Sequence, residues 1–338
     1  MKRIGTLAVG LVLLISAAAA AGNGNTVSVD INQEVSGICI TEGEMDQITF
    51  AYSSVSGNDN EVDQEIDLYM DDSSLVGPEG PWGPEYVEAQ QSGIPIVGAS
   101  PATFSQEAAM IGNVTGNENE VEQRIDLDSS ENCMTLGAFH GLGQTVFMGG
   151  FQEAEVIGCE NDVEQETYGD LYGNSITMAH IRQTSELLAL VEGSSNEMEQ
   201  EADQEAEENC VVNQDPYVWG WLIQEIESTA GVLGSENEIE TEAEQVACLN
   251  SLTDSVLQQS TKQAIGVTGS YNHLDEIEAG QYAYENCLVD GRLVQSIEQG
   301  ASAAGCNNDI EQNIVSSSEG NSVVGGSIMQ MTSVDSNL

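Results

Sequence analysis

Positive charge is what this chain lacks most. Six of its 338 residues are Lys or Arg against 57 Asp or Glu, and two of the six, Lys2 and Arg3, fall in the opening segment MKRIGTLAVGLVLLISAAAAAGN. Beyond it only Arg124, Arg182, Lys262 and Arg292 remain. Nucleic acid needs Lys and Arg to neutralise its phosphates, and anionic lipid makes the same demand, so neither is a partner. Proline is scarce too: five of the six lie in residues 77–101, which marks that stretch as an inserted loop. His140, His180 and His273 stand in unrelated contexts without a nucleophile elbow or metal-ligand spacing, and no C-x-x-C occurs. Carboxylates adjoin one another throughout, so no pair stands out as acid and base. A β-helix enzyme acting on acidic polysaccharide would need more than four bases. No catalytic residue and no cofactor is assigned.

The opening segment has a basic start, an apolar stretch and an Ala run, the layout of a secretory signal peptide. Residues 1–21 are read as that leader, with a secreted mature chain beginning near residue 22. No later stretch is apolar enough to span a bilayer, so no membrane insertion is expected after cleavage. Such acidity often marks disorder. Here 40% of residues are hydrophobic, and they recur periodically, which gives the chain something to bury.

What the sequence does have is a repeat. Gly-x-x-Asn opens eight copies, with the asparagines at Asn25, Asn60, Asn119, Asn161, Asn196, Asn237, Asn272 and Asn308. The interval is roughly 35–42 residues except where the 77–101 insertion lengthens it. Within a copy the residues alternate: Asn60, Val62, Gln64, Ile66 and Leu68 on one face, Glu61, Asp63, Glu65 and Asp67 on the other. Period two is a strand signature. Gln64, Gln123, Gln165, Gln200 and Gln312 share one place in this arm. The copies at 193 and 234 are rich in helix formers, but their register with Val- and Ile-bearing sisters makes them strands as well.

A second arm is marked by Gln47, Gln106, Gln183, Gln224, Gln259 and Gln295, each at a fixed distance before the next opening Gly, with Met148 in the equivalent place once. The expected fold is all-β: residues 22–338 form one region of tandem two-arm β-arches, stacked as an amyloid-like, cross-β or β-solenoid polymer. Stacking sets Asn on Asn and Gln on Gln, so side-chain amides bond along the stack as the backbone does. The last copy runs into a Ser/Gly/Val tail with no capping segment, and an uncapped strand edge is a template for another molecule. The expected partner is the chain itself, as a homopolymer.

Cys39, Cys133, Cys210 and Cys287 occupy one arch position, Cys159 and Cys306 follow an opening Gly, and Cys248 stands apart. Disulfides are the default in an exported chain, and seven cysteines leave at least one free or bonded between molecules. The acidic face should bind calcium or magnesium weakly and diffusely, shared by Glu61, Asp63, Glu120, Glu122, Glu197, Glu199, Glu238 and Glu240. Trp219 and Trp221 fall on one face and read as stacked core.

Leader, Gly-x-x-Asn repeats, Gln-marked second arms, acidity and scattered cysteines together resemble the amyloid-like major sheath protein of filamentous methanogenic archaea. Curli-type bacterial amyloids also set Gly-x-x-Asn beside Gln, but with shorter repeats and without these cysteines. The sheath resemblance implies subunits stacked edge to edge into hoops that join as a protective tube around cells. The rival expectation is a monomeric acidic β-solenoid that binds divalent cations or acts as an adhesin.

Overall fold

A computed structural model of the chain describes residues 9–16, 20–37, 39–41, 44–76, 103–135, 145–177, 180–212 and 220–337. The inserted loop at 77–101, His140 and Trp219 lie outside them. The described residues are all-β. β1 (Val9–Ser16) and β2 (Ala20–Ala21) come first. Eight coils of three strands follow: β3 (Thr26–Ser36), β4 (Cys39–Thr41) and β5 (Glu44–Ser56); β6 (Glu61–Asp71), β7 (Ser74–Val76) and β8 (Thr103–Thr115); β9 (Glu120–Ser130), β10 (Cys133–Thr135) and β11 (Thr145–Ile157); β12 (Asp162–Tyr172), β13 (Ser175–Thr177) and β14 (His180–Ser194); β15 (Glu197–Glu207), β16 (Cys210–Val212) and β17 (Gly220–Ser235); β18 (Glu238–Cys248), β19 (Ser251–Thr253) and β20 (Ser255–Ser270); and finally β21 (His273–Tyr284), β22 (Cys287–Val289) and β23 (Arg292–Cys306), with β24 (Asp309–Glu319), β25 (Ser322–Val324) and β26 (Ser327–Asn337).

Equivalent strands of successive coils pair in parallel, giving two long sheets and one short sheet. This is a β-solenoid-like architecture. Copies at 193 and 234, ambiguous by propensity, are the strands β15 and β18. The two-arm expectation needs one correction: a three-residue strand sits between the arms of every coil and closes one end of the section.

The alternation predicts the burial. Asn60, Val62, Gln64, Ile66, Leu68 and Met70 are buried while their neighbours point outward. Aliphatic side chains gather in two large clusters, with a small third one of Leu187, Ala202, Ile226 and Ala243. One of the large two lies by the short sheet and includes Leu68, Met110, Val211 and Leu252; the other lies by the Gly-x-x-Asn turns and includes Val62, Val121, Val156 and Val232. Trp221 is a second correction, since it stands half-buried on the outer side of its sheet opposite His180 rather than in the core.

The turn glycines are required by the stack. Those opening the eight copies have φ between +137° and +152°. A Cβ on Gly57 would lie 1.9 Å from the carbonyl oxygen of Gly22 in the coil beneath, and one on Gly193 would lie 1.5 Å from that of Gly158. Coils pack here at backbone-to-backbone distance, which only glycine permits.

Candidate functional site

The repeat asparagines form one continuous row. The backbone N–H and Nδ2 of Asn60 both donate to Oδ1 of Asn119, at 3.1 and 2.9 Å. The same fork joins Asn25 to Asn60, Asn119 to Asn161, Asn161 to Asn196, Asn196 to Asn237, Asn237 to Asn272 and Asn272 to Asn308. Each buried amide thus satisfies its donor and acceptor within the stack, avoiding the ~1–3 kcal/mol that an unmade buried bond costs.

The Gln rows bridge the two long sheets. Gln106 Nε2 donates to Gln47 Oε1 at 3.0 Å and to the Leu68 and Asp128 carbonyls of the facing sheet at 2.9 Å. Gln183, Gln224, Gln259, Gln295 and then Gln330 continue beyond Met148. In the other arm Gln64, Gln123, Gln165 and Gln200 are linked in series. Gln312 shares that row but is separated from Gln200 by Thr241 and Ile277. Rows fail where an amide is missing. Gln64 Nε2 and Gln106 Oε1 are buried without a partner, because Val29 and Met148 occupy the adjoining rungs.

Sequence reasoning missed a second asparagine row at the opposite turn: Asn132, Asn174, Asn209, Asn250, Asn286 and Asn321. The residue before each is left-handed, as at Glu131 (φ 50°) and Glu208 (φ 54°). The signal was present, since each of these asparagines directly precedes the Cys or Ser that begins the short strand.

The two outer faces differ sharply. On one long sheet the predicted cation-sharing residues fall into two adjacent rows, Glu61, Glu120, Glu197 and Glu238 beside Asp63, Glu122, Glu199 and Glu240. Asp162 and Glu164 complete these rows and were not foreseen. Like charges directly opposite one another destabilise a sheet, and the protonation behaviour reflects it. Burial, then a hydrogen bond and repulsion from Glu166, push the Glu164 carboxyl up to about 7. Burial and Glu201 raise Asp203 to about 7, and burial and Asp128 raise Asp170 to about 6. Arg124 is the base among them, 3.6 Å from Glu166 and 5.0 Å from the Tyr168 ring centroid. The outer face of the other long sheet carries Phe50, Tyr52, Phe147, Phe151, Leu188 and Leu190, with Arg182 paired to Glu225 and Lys262 to Glu227.

Glu205, Glu207 and Cys248 bring ligand-type atoms within 4.8 Å of one another, a grouping outside the predicted rows. Burial and Glu207 push the Cys248 thiol up to about 11, so it is protonated where a metal would want thiolate. His180 is pushed below its ordinary value by burial alone.

The arch cysteines lie in one row of the short sheet, but alternately with serine: Cys39, Ser74, Cys133, Ser175, Cys210, Ser251, Cys287, Ser322. No disulfide forms among the described residues.

Compared with known proteins, the chain matches no family model, no curated protein and no solved structure.

Proposed function

We propose that this chain is an extracellular structural protein that polymerises coil end to coil end into an amyloid-like wall or sheath. The observation that supports the reading most directly is the unbroken Asn row. It reaches both terminal coils, at Asn25 and Asn308, so the bonding that joins one coil to the next has the same chemistry available at each end. Among the described residues β3 and β4 of the first coil and β24, β25 and β26 of the last end their sheets, and open parallel edges recruit further strands. Function here is mechanical: the site is the stack, and the chemistry is hydrogen bonding and packing.

The acidic face favours a second reading, a monomeric β-solenoid that gathers divalent cations or adheres to a surface. Fibre diffraction and sedimentation of native material separate the two. Insoluble material with strand-spacing reflections along its axis fits the wall, whereas a soluble monomer in calcium-containing buffer refutes it.

A further inference from the structure

The first coil has an edge that the chain itself covers. β1 runs parallel along β5 with Leu11 opposite Gln47 and Ser16 opposite Tyr52. β2 continues the line, with Ala20 opposite Val55. Together they stand where the long strand of a preceding coil would stand. β3 and β4 end their own sheets on that side, and β24, β25 and β26 end all three sheets on the other.

Now place the last coil of a second copy against this edge in the register the coils use internally, Asn308 against Asn25. Ile314 then meets Ile31, Ser322 meets Cys39 and Gln330 meets Gln47. Bond polarity agrees. Each Asn in the row donates to the Oδ1 of the following coil, so the row ends with donors at Asn308 and an acceptor at Asn25. Gln runs the other way, each Nε2 donating to the preceding Oε1, so Gln47 is placed to donate and Gln330 to accept. Gln47 Nε2 already reaches the carbonyls of Gln33 and Tyr69, but the residue opposite it in β1 is Leu11, a residue type without a side-chain amide. The Cys–Ser alternation stays in phase as well, Cys287 and Ser322 being followed by Cys39 and Ser74 of the second copy.

We infer that β1 and β2 are a built-in cover, filling the slot on β5 that β26 of a second copy takes, so that growth at the first coil waits for hydrolytic removal of residues 1–21. The inference rests on the end-to-end polymer proposed above. A tethered strand competes at an effective concentration of roughly millimolar, well above that of a free subunit, yet it sets Leu11 opposite Gln47 where β26 would set Gln330 and continue the Gln row.

The test uses the full chain with a specific endoprotease site in place of residues 17–19, held reduced, with sedimentable polymer measured before and after cutting. Cutting should raise the elongation rate by at least about tenfold. Because the cut peptide can stay bound, Leu11→Pro in the uncut chain is the second arm: it removes a β1 amide donor and should release growth without cutting. Polymer forming equally fast before and after cutting, and equally in L11P, overturns the cover while leaving the polymer reading intact. No polymer in any arm, with strand content unchanged by circular dichroism, overturns the polymer and the cover together.

Discussion

Cys210 and Cys287 lie in the same row of the short sheet with Ser251 between them, two rungs apart. Two rungs are roughly 9.5 Å, while a disulfide needs Cα atoms within about 7 Å. Ser175 separates Cys133 from Cys210 in the same way, and Ser74 separates Cys39 from Cys133. No two of these four can therefore bond within one chain, nor across the end-to-end junction, where Ser322 stands between Cys287 and Cys39, so a disulfide between two of them joins chains lying side by side. Oxidised polymer should survive strong denaturant and release monomer only when reductant is added. Non-reducing gels that show monomer alone would exclude interchain bonds.

The Gly-x-x-Asn turn makes a sharper demand. Gly193→Ala puts a Cβ against the Gly158 carbonyl oxygen and keeps a φ of +150° that alanine rarely adopts, so it should destabilise the folded chain by more than about 3 kcal/mol. Gly266→Ala, on the open outer face, where the added Cβ would come no nearer than 3.9 Å to Ser302 Oγ, should change stability by less than about 1 kcal/mol. Thermal melts of the two variants are the comparison. Equal midpoints would mean that the coils do not approach at these glycines.

Trypsin reads the strands independently. Arg124 is central in β9, which is paired on both sides by β6 and β12, and a protease needs extended, unpaired backbone. Cleavage after Arg124 in the folded chain should be at least ~100-fold slower than in denatured chain, because it waits for local opening. Mass spectrometry of early digests gives the answer, and prompt cutting at Arg124 would contradict the sheet.

Much of this architecture is legible because it is periodic. Asn60, Val62, Gln64, Ile66 and Leu68 alternate with carboxylates for long enough to separate strand from helix, and the sister copies correct the helix-like composition of Glu197–Glu207. The short strand escapes the same method. A three-residue strand turns one side chain inward, as with Val211 and Leu252, and a single residue has no period. Its asparagine row was readable only by comparing turns across copies. The place of β1 was hidden for another reason: an apolar run behind two basic residues reads as an export signal whatever strand it can also form.

The acidic face sets the sign of the last prediction. In-register carboxylates sit about 4.8 Å apart, and in a water-like dielectric each such contact costs about 0.9 kcal/mol before screening. A Debye length of about 8 Å at physiological salt removes only part of that. Glu164 and Asp203, both near 7, and Asp170, near 6, hold protons more tightly when folded than when unfolded. For a carboxyl shifted upward, the stabilisation linked to the proton is complete below its ordinary range, near pH 4, and is lost as pH rises through about 6–7. The folded chain should therefore melt at progressively lower temperature from pH 4 to pH 8 in low salt with chelator. Millimolar calcium or magnesium, bridging adjacent carboxylates, should restore much of the loss at pH 8 and do little at pH 4. Asp203→Asn isolates one position: Asp203 Oδ1 is buried without a hydrogen-bond partner, so removing its charge should raise the midpoint at pH 8 and leave it nearly unchanged at pH 4. A midpoint flat from pH 4 to pH 8, in wild type and D203N alike, would mean that the carboxylates are not held against one another along the stack.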